Sequence, residues 1–176
     1  APKLSLAVES SLRPTQGMVD LAGWNFSSQG NLELGGVWRY RSGLSERPWE
    51  DWAKSESLKI PDYGLIDVPA GAHQTGSYML QVNRGQSSIR NLMLYVYHVV
   101  GSHRLRLCSL VSRSCQLMGG SGVVSESIGT AVWHGSETKV LIPDALLDEP
   151  SFLIVIDSSS FLRTKGFTSA PKIGLA

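Results

Sequence analysis

The sequence lacks an excess of one charge, a long apolar run and a set of closely spaced metal ligands. Its 16 basic and 15 acidic residues give a net charge of +1, which argues against nucleic acid or an anionic membrane as a partner. Its longest apolar run, Leu92–Val100, is far shorter than the ~20 residues that span a bilayer. A hydrophobic fraction of 42% with 18% charged residues is typical of a chain that buries a core.

Cysteine is also scarce, with only Cys108 and Cys115 present. Six residues separate them, a spacing that suits a disulfide across a hairpin or loop. Two free thiols and half of a metal site are the alternatives. The metal alternative is weak, because two further ligands at regular spacing are missing. A disulfide would indicate an oxidising compartment, such as a periplasm or the cell exterior.

Glycine, serine and proline divide the chain into short β-rich runs. The predicted strands are Val37–Tyr40, Leu65–Val68, Ser77–Val82, Leu92–Val100, His103–Leu107, Lys139–Ile142, Phe152–Ile156 and Pro171–Leu175. Single helical turns are predicted at Trp49–Ser57 and Pro143–Leu147. No repeat or linker is present, so we expect one domain over residues 1–176, with an N-terminal extension at 1–16 and a core at 17–175. The pattern predicts an all-β fold, an antiparallel β-sandwich or jelly roll.

The strand Leu92–Val100 is unusual because both of its faces are apolar or aromatic. Alternation places Leu92, Leu94, Val96 and His98 on one face and Met93, Tyr95, Tyr97 and Val99 on the other. A sandwich strand normally keeps one polar, solvated face. The strand is therefore either a central strand covered by a loop, or its tyrosine face binds a ligand or a partner, since tyrosine combines a stacking ring with a polar tip.

The next predicted strand, His103–Leu107, alternates cleanly and carries Arg104 and Arg106 on its polar face. If this strand pairs beside Tyr95 and Tyr97, arginine and tyrosine side chains together form a binding surface. Loop residues His73, Trp133 and His134 would complete it.

The opening of the chain carries a distinctive aromatic pattern, Asp-Leu-x-x-Trp-x-Phe, at Asp20–Phe26. The blocks that follow are Leu34-Gly35-Gly36-Val37-Trp38-Arg39-Tyr40, Ile66-Asp67-Val68-Pro69, Thr75–Val82, Leu92–Val96, Phe152–Asp157, Lys165-Gly166-Phe167 and Ile173-Gly174-Leu175. In this order they resemble the extracytoplasmic jelly-roll sensory domains of bacterial 7TMR-DISM receptors, which are seven-transmembrane receptors with diverse intracellular signalling modules. The later blocks are shared with sugar-binding domains of glycoside hydrolases.

The resemblance implies a galactose-binding-like jelly roll that is periplasmic and precedes membrane helices beyond Leu175. A diguanylate cyclase, an adenylate cyclase or a histidine kinase would be its cytoplasmic output. The chain departs from the family pattern at Cys108–Cys115, where an Asn-Gly hairpin is common, and at Pro48–Trp52. Both are loop regions, where ligand specificity normally lies, so the resemblance bears on fold and signalling more than on a particular ligand.

The residue patterns of known catalytic centres are missing. His98 and His103 would fall on opposite faces of one continuous strand, and no Gly-x-Ser-x-Gly elbow occurs. Adjacent carboxylates such as Glu50 and Asp51 differ from glycosidic acid–base pairs, which act across a sugar. Gly119–Gly122 lies among strands and precedes no helix, unlike a phosphate-binding loop. We therefore predict no catalytic residue, no metal and no cofactor.

The five tryptophans fall into two groups. Trp24 and Trp38 lie in the family blocks and are predicted to pack in the core. Trp49, Trp52 and Trp133 lie in loops, where partial burial is favoured and a sugar-stacking role is the alternative.

The sequence therefore predicts a non-enzymatic periplasmic sensor domain of a membrane receptor that binds a carbohydrate or another small polar ligand. The predicted ligand-binding residues are Tyr95, Tyr97, Arg104, Arg106, His73, Trp133 and His134. The alternatives are an accessory carbohydrate-binding domain of a glycoside hydrolase, and a protein-interaction module that forms a homodimer through Met93, Tyr95 and Tyr97.

Overall fold

The computed structural model describes residues 12–61, 64–65, 74–85, 89–97, 99, 101–126, 137–160 and 164–176. Its strands are β1 Met18–Asp20, β2 Leu32–Glu33, β3 Gly36–Ser42, β4 Glu56–Ile60, β5 Gly64–Leu65, β6 Gln74–Asn83, β7 Leu92–Val96, β8 Ser102–Ser109, β9 Ser114–Ser121, β10 Thr138–Leu141, β11 Ser151–Ser160, β12 Thr164–Lys165 and β13 Lys172–Leu175. The helices are one-turn segments: α1 Phe26–Gln29, α2 Pro48–Asp51 and α3 Asp144–Leu147, with 3-10 turns at Leu21–Gly23 and Trp52–Lys54.

The described strands form two main sheets. The seven-stranded sheet runs β4-β3-β6-β11-β8-β9, with β1 added in parallel beside β6. The four-stranded sheet runs β10-β7-β13-β2, and all of its pairs are antiparallel. The strands β12 and β5 form a separate antiparallel pair. The predicted all-β antiparallel sandwich is confirmed.

The core lies between the two sheets, where alternate residues of each strand point inward. Residues of one continuous buried cluster come from both sheets: Trp38, Leu80, Leu105 and Ile154 from the large sheet, and Leu94 and Ile173 from the small one. Trp38 is fully buried and donates its indole N–H to the Leu34 carbonyl at 2.7 Å. The predicted core position of Trp38 is confirmed.

Each predicted strand overlaps an observed one, and four of the eight lie wholly within it. The strand predicted at Leu92–Val100 is shorter, because its partners β10 and β13 pair only as far as Val96 and Tyr95; Val99 makes an isolated bridge to Phe167. Of the strand predicted at Leu65–Val68, only Leu65 falls within the described residues, in β5. The predicted turn at Pro143–Leu147 is confirmed as α3.

Strand β9 is absent from the sequence prediction. It is an exposed edge strand that contains two serines and two glycines, and glycine is depleted in strands. Its extended conformation is set by backbone pairing with β8, which its own side chains do not indicate. Cys108 and Cys115 lie directly opposite each other across this hairpin and form a disulfide. The predicted disulfide is confirmed, and disulfides are typical of proteins that fold in oxidising compartments.

Replacing both cysteines, Cys108→Ala with Cys115→Ala, is expected to lower the free energy of unfolding by about 2–3 kcal/mol, because the short closed loop restricts the unfolded chain only modestly. Urea denaturation of the variant and of the disulfide-bonded wild-type chain measures this loss. The reduced wild-type chain is the control, and it should unfold like the variant, since both lack the same cross-link. A loss of more than about 5 kcal/mol would contradict a local role for the bond.

The outer face of the large sheet is covered in part by the segment between β3 and β4. A second buried cluster forms there from Met79, Cys108, Leu153 and Val155, with Trp52 packed on it. Trp49 is half-buried in the same segment. The prediction that Trp52 serves packing is confirmed.

The two long sides of the sandwich differ. At one side, β9 and β10 approach so closely that a Cβ on Gly119 would lie 3.1 Å from Thr138 Cγ2. At the other side, β4 and β3 of the large sheet face the two-residue strand β2 of the small sheet. Residues 12–16, assigned by sequence to an N-terminal extension, reach this side, where the Pro14 carbonyl accepts a hydrogen bond from Val37 N–H at 2.9 Å.

Candidate functional site

The predicted tyrosines lie on the outer face of the small sheet. Tyr95 is half-buried in β7, where it pairs with Lys139 of β10 and Lys172 of β13. The Lys172 Nζ atom lies 5.8 Å from the centre of the Tyr97 ring. Hydrogen bonding and charge interaction with Tyr97 raise the pKa of Lys172, with Glu33 adding a smaller contribution. The tyrosine face is therefore a flat surface bordered by charged side chains.

Arg104 and Arg106 do not lie beside these tyrosines. Their strand, β8, belongs to the large sheet, whereas β7 belongs to the small one. The condition for a shared binding surface, pairing of these two strands, is therefore not met, because the chain passes from one sheet to the other between Val96 and Ser102. The arginines point outward from the opposite side of the sandwich.

Both arginines bind a buried carboxylate, Asp157, on β11. Arg106 donates from Nε and Nη2 to the two Asp157 oxygens, each at 2.8 Å, and Arg104 donates from Nε at 2.8 Å. Ser77 Oγ donates to Asp157 Oδ1 at 2.6 Å and accepts from Ser45 N–H at 2.9 Å. These bonds hold the loop at Ser45 against the sheet. The charge of Arg106 is therefore used within the protein.

The predicted site residues His73, Trp133 and His134 lie outside the described residues, as does His98. The sequence hypothesis that they join Tyr95 and Tyr97 stays a prediction.

A cleft of about 540 Å³ opens where β2 faces β3 and β4, at the open side of the sandwich. This volume is in the range of small-molecule binding sites. Its floor includes the buried side chains of Leu32 and Ile60. Its wall and rim carry Leu12, Arg13, Trp24, Asn31, Glu33, Gly35, Gly36, Lys59, Pro61, Thr168, Ser169 and Ala170. We call it the Trp24 cleft.

Trp24 lies between two capped turns, which explains its position. The Asp20 side chain accepts a hydrogen bond from Ala22 N–H at 2.9 Å and caps the preceding 3-10 turn. The Asn25 side chain accepts from Ser27 and Ser28 N–H at 3.0 and 3.2 Å and caps α1. Aspartate and asparagine are preferred at such positions because they satisfy the free N–H groups of a helical turn.

The Trp24 ring has a fixed orientation. Its indole N–H donates to the Gly30 carbonyl at 3.0 Å, and the ring packs half-buried against the core. A second cleft, of about 480 Å³, lies on the other side of Trp24 and is lined also by Phe26, Ile89 and Arg90. The predicted core position of Trp24 is therefore only partly right, because the ring also lines two clefts.

A third cleft, of about 560 Å³, lies beside α2 and carries many charges. These charges are used within the protein: Arg41 pairs with Asp51, Arg47 lies 3.5 Å from Glu50, and Glu126 Oε1 accepts from Leu44 N–H at 3.1 Å. The Trp24 cleft is the better candidate, since it joins an apolar floor to polar groups with fewer protein partners.

Sequence reasoning missed the Trp24 cleft, because its residues come from five separate segments of the chain. One local signal was present: Asp20 and Asn25 flank the tryptophan at spacings typical of helix caps, which favours a turn over a strand.

The described part of the chain holds no group of three or more His, Cys, Asp or Glu side chains arranged for a metal ion. None of its helices has the length and apolar character needed to cross a bilayer.

No protein-family model matches the sequence, and no curated protein matches it. Solved structures do match. β-Glucuronidase 2 of Bacteroides uniformis, covalently bound to cyclophellitol-6-carboxylate aziridine, aligns with 81% of this chain at a TM-score of 0.58 and 13% identity. A putative β-galactosidase from Bacteroides fragilis aligns with 81% at a TM-score of 0.56 and 12% identity. An FMN-binding β-glucuronidase from Faecalibacterium prausnitzii aligns with 81% at a TM-score of 0.52 and 13% identity.

The chain covers only 17–22% of the length of these three proteins. At this identity the likeness shows the fold. The chain is a galactose-binding-like β-sandwich.

Proposed function

We propose that this chain is a non-catalytic recognition domain that binds carbohydrate in the Trp24 cleft, within a protein that works outside the cytoplasm. The observation that carries the proposal is the half-buried, hydrogen-bonded Trp24 ring at the wall of a cleft of about 540 Å³. A galactose-binding-like fold and a disulfide agree with it.

The lining suits a sugar for physical reasons. A sugar ring has an apolar C–H face, which packs on an aromatic ring, and a polar edge of hydroxyl groups, which needs donors and acceptors. Trp24 offers the ring face, since its N–H is already bonded. The exposed Asn31 side chain offers an amide that makes no hydrogen bond to a described residue.

The carboxylates that line the cleft support a binding role without catalysis. Most glycoside hydrolases use two carboxyl groups that flank the scissile bond about 5–10 Å apart. Among the residues that line the Trp24 cleft, Glu33 is the one carboxylate, and it faces Lys172 at 3.5 Å.

For the parent protein, the sequence resemblance supports a periplasmic sensor domain of a 7TMR-DISM receptor. Ligand binding would then bias the membrane segments between two states. The structural neighbours support the second candidate, an accessory domain of a glycoside hydrolase. The sequence after residue 176 of the parent polypeptide discriminates the two: seven apolar helices favour the receptor, and a (β/α)₈ barrel favours the hydrolase.

The interaction-module alternative uses the outer face of the small sheet, where Leu141 is 51% exposed beside Met93 and Tyr95. Light scattering tests it: a dimer that Tyr95→Ala dissociates would favour this alternative, and a monomer at high concentration would count against it.

The carbohydrate proposal is tested by calorimetric titration against neutral and acidic oligosaccharides. Trp24→Leu, which keeps apolar volume but removes the flat ring, is expected to weaken binding of the best glycan by about tenfold or more. Tyr95→Ala is the matched control and should bind normally. Melting curves establish that both variants fold. If Tyr95→Ala alone lost glycan binding, the site would lie on the small sheet. Absence of binding to every glycan would refute the proposal.

A further inference from the structure

We infer that the Trp24 cleft selects anionic carbohydrates, sugars that carry a carboxylate or a sulfate. The inference rests on the proposed function and names the substrate class of the same site. It is carried by two cationic residues that line the cleft, Arg13 and Lys59, which make no hydrogen bond or ion pair with any residue that the structure describes.

Arg13 and Lys59 line the cleft from different segments, one before β1 and one in β4. Both are exposed, and neither makes a hydrogen bond or ion pair with any described residue. The arginines of β3 and β8 are held by protein partners: Arg39, Arg41, Arg104 and Arg106. Two exposed cations outside the cleft, Lys54 and Arg113, also lack a partner among the described residues, so Arg13 and Lys59 are distinguished by their place on the cleft.

The remaining charge of the cleft is balanced. Glu33 is its one carboxylate, and Lys172 Nζ lies 3.5 Å from Glu33 Oε1 on the neighbouring strand. The two unpaired cations thus leave a local positive charge, although the whole chain carries only +1. An apolar wall beside the cations strengthens their attraction for an anion, because it excludes part of the solvent that would screen them.

The chemistry of an arginine and a lysine on one cleft suits an oxyanion. A guanidinium presents a planar fork of donors that matches the oxygens of a carboxylate or sulfate, and an ammonium adds a point charge.

The test compares a uronic-acid oligosaccharide with the neutral oligosaccharide of the same linkage, in which each carboxylate is replaced by a hydroxymethyl group. A sulfated form of the neutral probe is the third ligand. All three are titrated by calorimetry into the wild-type chain and into Arg13→Gln, Lys59→Gln and the double variant. Lys54→Gln is the matched control, because Lys54 is an exposed lysine outside the cleft.

We expect at least one anionic probe to bind about tenfold or more tightly than the neutral one. The double variant should bind that probe only as tightly as the neutral one, and Lys54→Gln should bind it normally. Raising salt from about 0.05 to about 0.5 M should weaken the anionic probe alone. A preference for the sulfated probe over the uronic acid, if it depends on Arg13 and Lys59, supports the inference and identifies the anion.

Two results would overturn the inference while leaving the proposed function in place: neutral and anionic probes binding equally through Trp24, and an anionic preference that survives the loss of both cations. Absence of binding to all three probes and to the wider glycan panel would refute both the inference and the proposed function.

Discussion

Asp157→Ala is expected to destabilise the fold by about 3–5 kcal/mol, because it leaves a buried cation without its partner. Asp157 is fully buried, and the Arg106 side chain that pairs with it is only 11% exposed. Loss of the carboxylate removes four hydrogen bonds at once, three from the two arginines and one from Ser77. The desolvated guanidinium of Arg106 then keeps only its bond to the Ser45 carbonyl.

The matched control is Arg104→Gln. Arg104 gives Asp157 a single hydrogen bond and its side chain is 36% exposed, so its loss should cost at most about 1 kcal/mol. Urea denaturation of the three proteins measures the difference. Equal losses for Asp157→Ala and Arg104→Gln, or a loss below about 1 kcal/mol for Asp157→Ala, would show that the Asp157 cluster does not hold the loop at Ser45.

Acidification is expected to remove about 3 kcal/mol of stability through one histidine, His103. His103 is buried between the sheets, with Nε2 2.8 Å from Thr138 Oγ1 of β10. Burial lowers the pKa of His103 from 6.5 to about 4, because the charged imidazolium is poorly solvated there.

The direction in which the free energy of unfolding changes with pH follows from proton binding to His103. Between the two pKa values the unfolded chain binds a proton on this residue and the folded chain does not, so acid favours unfolding. The contribution of His103 is therefore fully present above pH 6.5, falls as the pH drops toward 4, and changes no further below that.

The free energy of unfolding, measured from about pH 7 to about pH 4, tests this expectation beside His103→Gln, which keeps a hydrogen-bonding side chain without a charge change. The two proteins differ at this residue alone, so the difference in slope isolates His103. Parallel pH profiles for the two proteins would contradict the assignment.

Local patterns predicted the strands well where apolar residues alternate along the sequence and one face of the strand is buried. Alternation alone placed Leu92, Leu94 and Val96 on one face of their strand, which the structure shows to be the buried one, and the spacing of Cys108 and Cys115 favoured the disulfide. These features depend on neighbours in sequence, which explains the success.

The features that failed depend on distant parts of the chain. No local signal shows that β7 and β8 belong to different sheets, so Tyr95 and Arg106 were expected on one surface and lie on opposite sides of the sandwich. The Trp24 cleft needs Arg13, Lys59 and Ser169 from separate segments. Trp24 was predicted to be a core residue because it lies in a block of the family resemblance, and the resemblance does not show that the ring is only half-buried.

Contact between a bound glycan and the Trp24 ring is tested most directly by NMR, through the indole N–H resonances of a ¹⁵N-labelled sample. On titration with the best-binding glycan, the Trp24 indole resonance should shift with saturation, whereas the resonance of fully buried Trp38 should stay in place. Assignment comes from Trp24→Leu, which removes one resonance. An unchanged Trp24 resonance at saturation, with shifts confined to Tyr95 and its neighbours on the small sheet, would contradict the account.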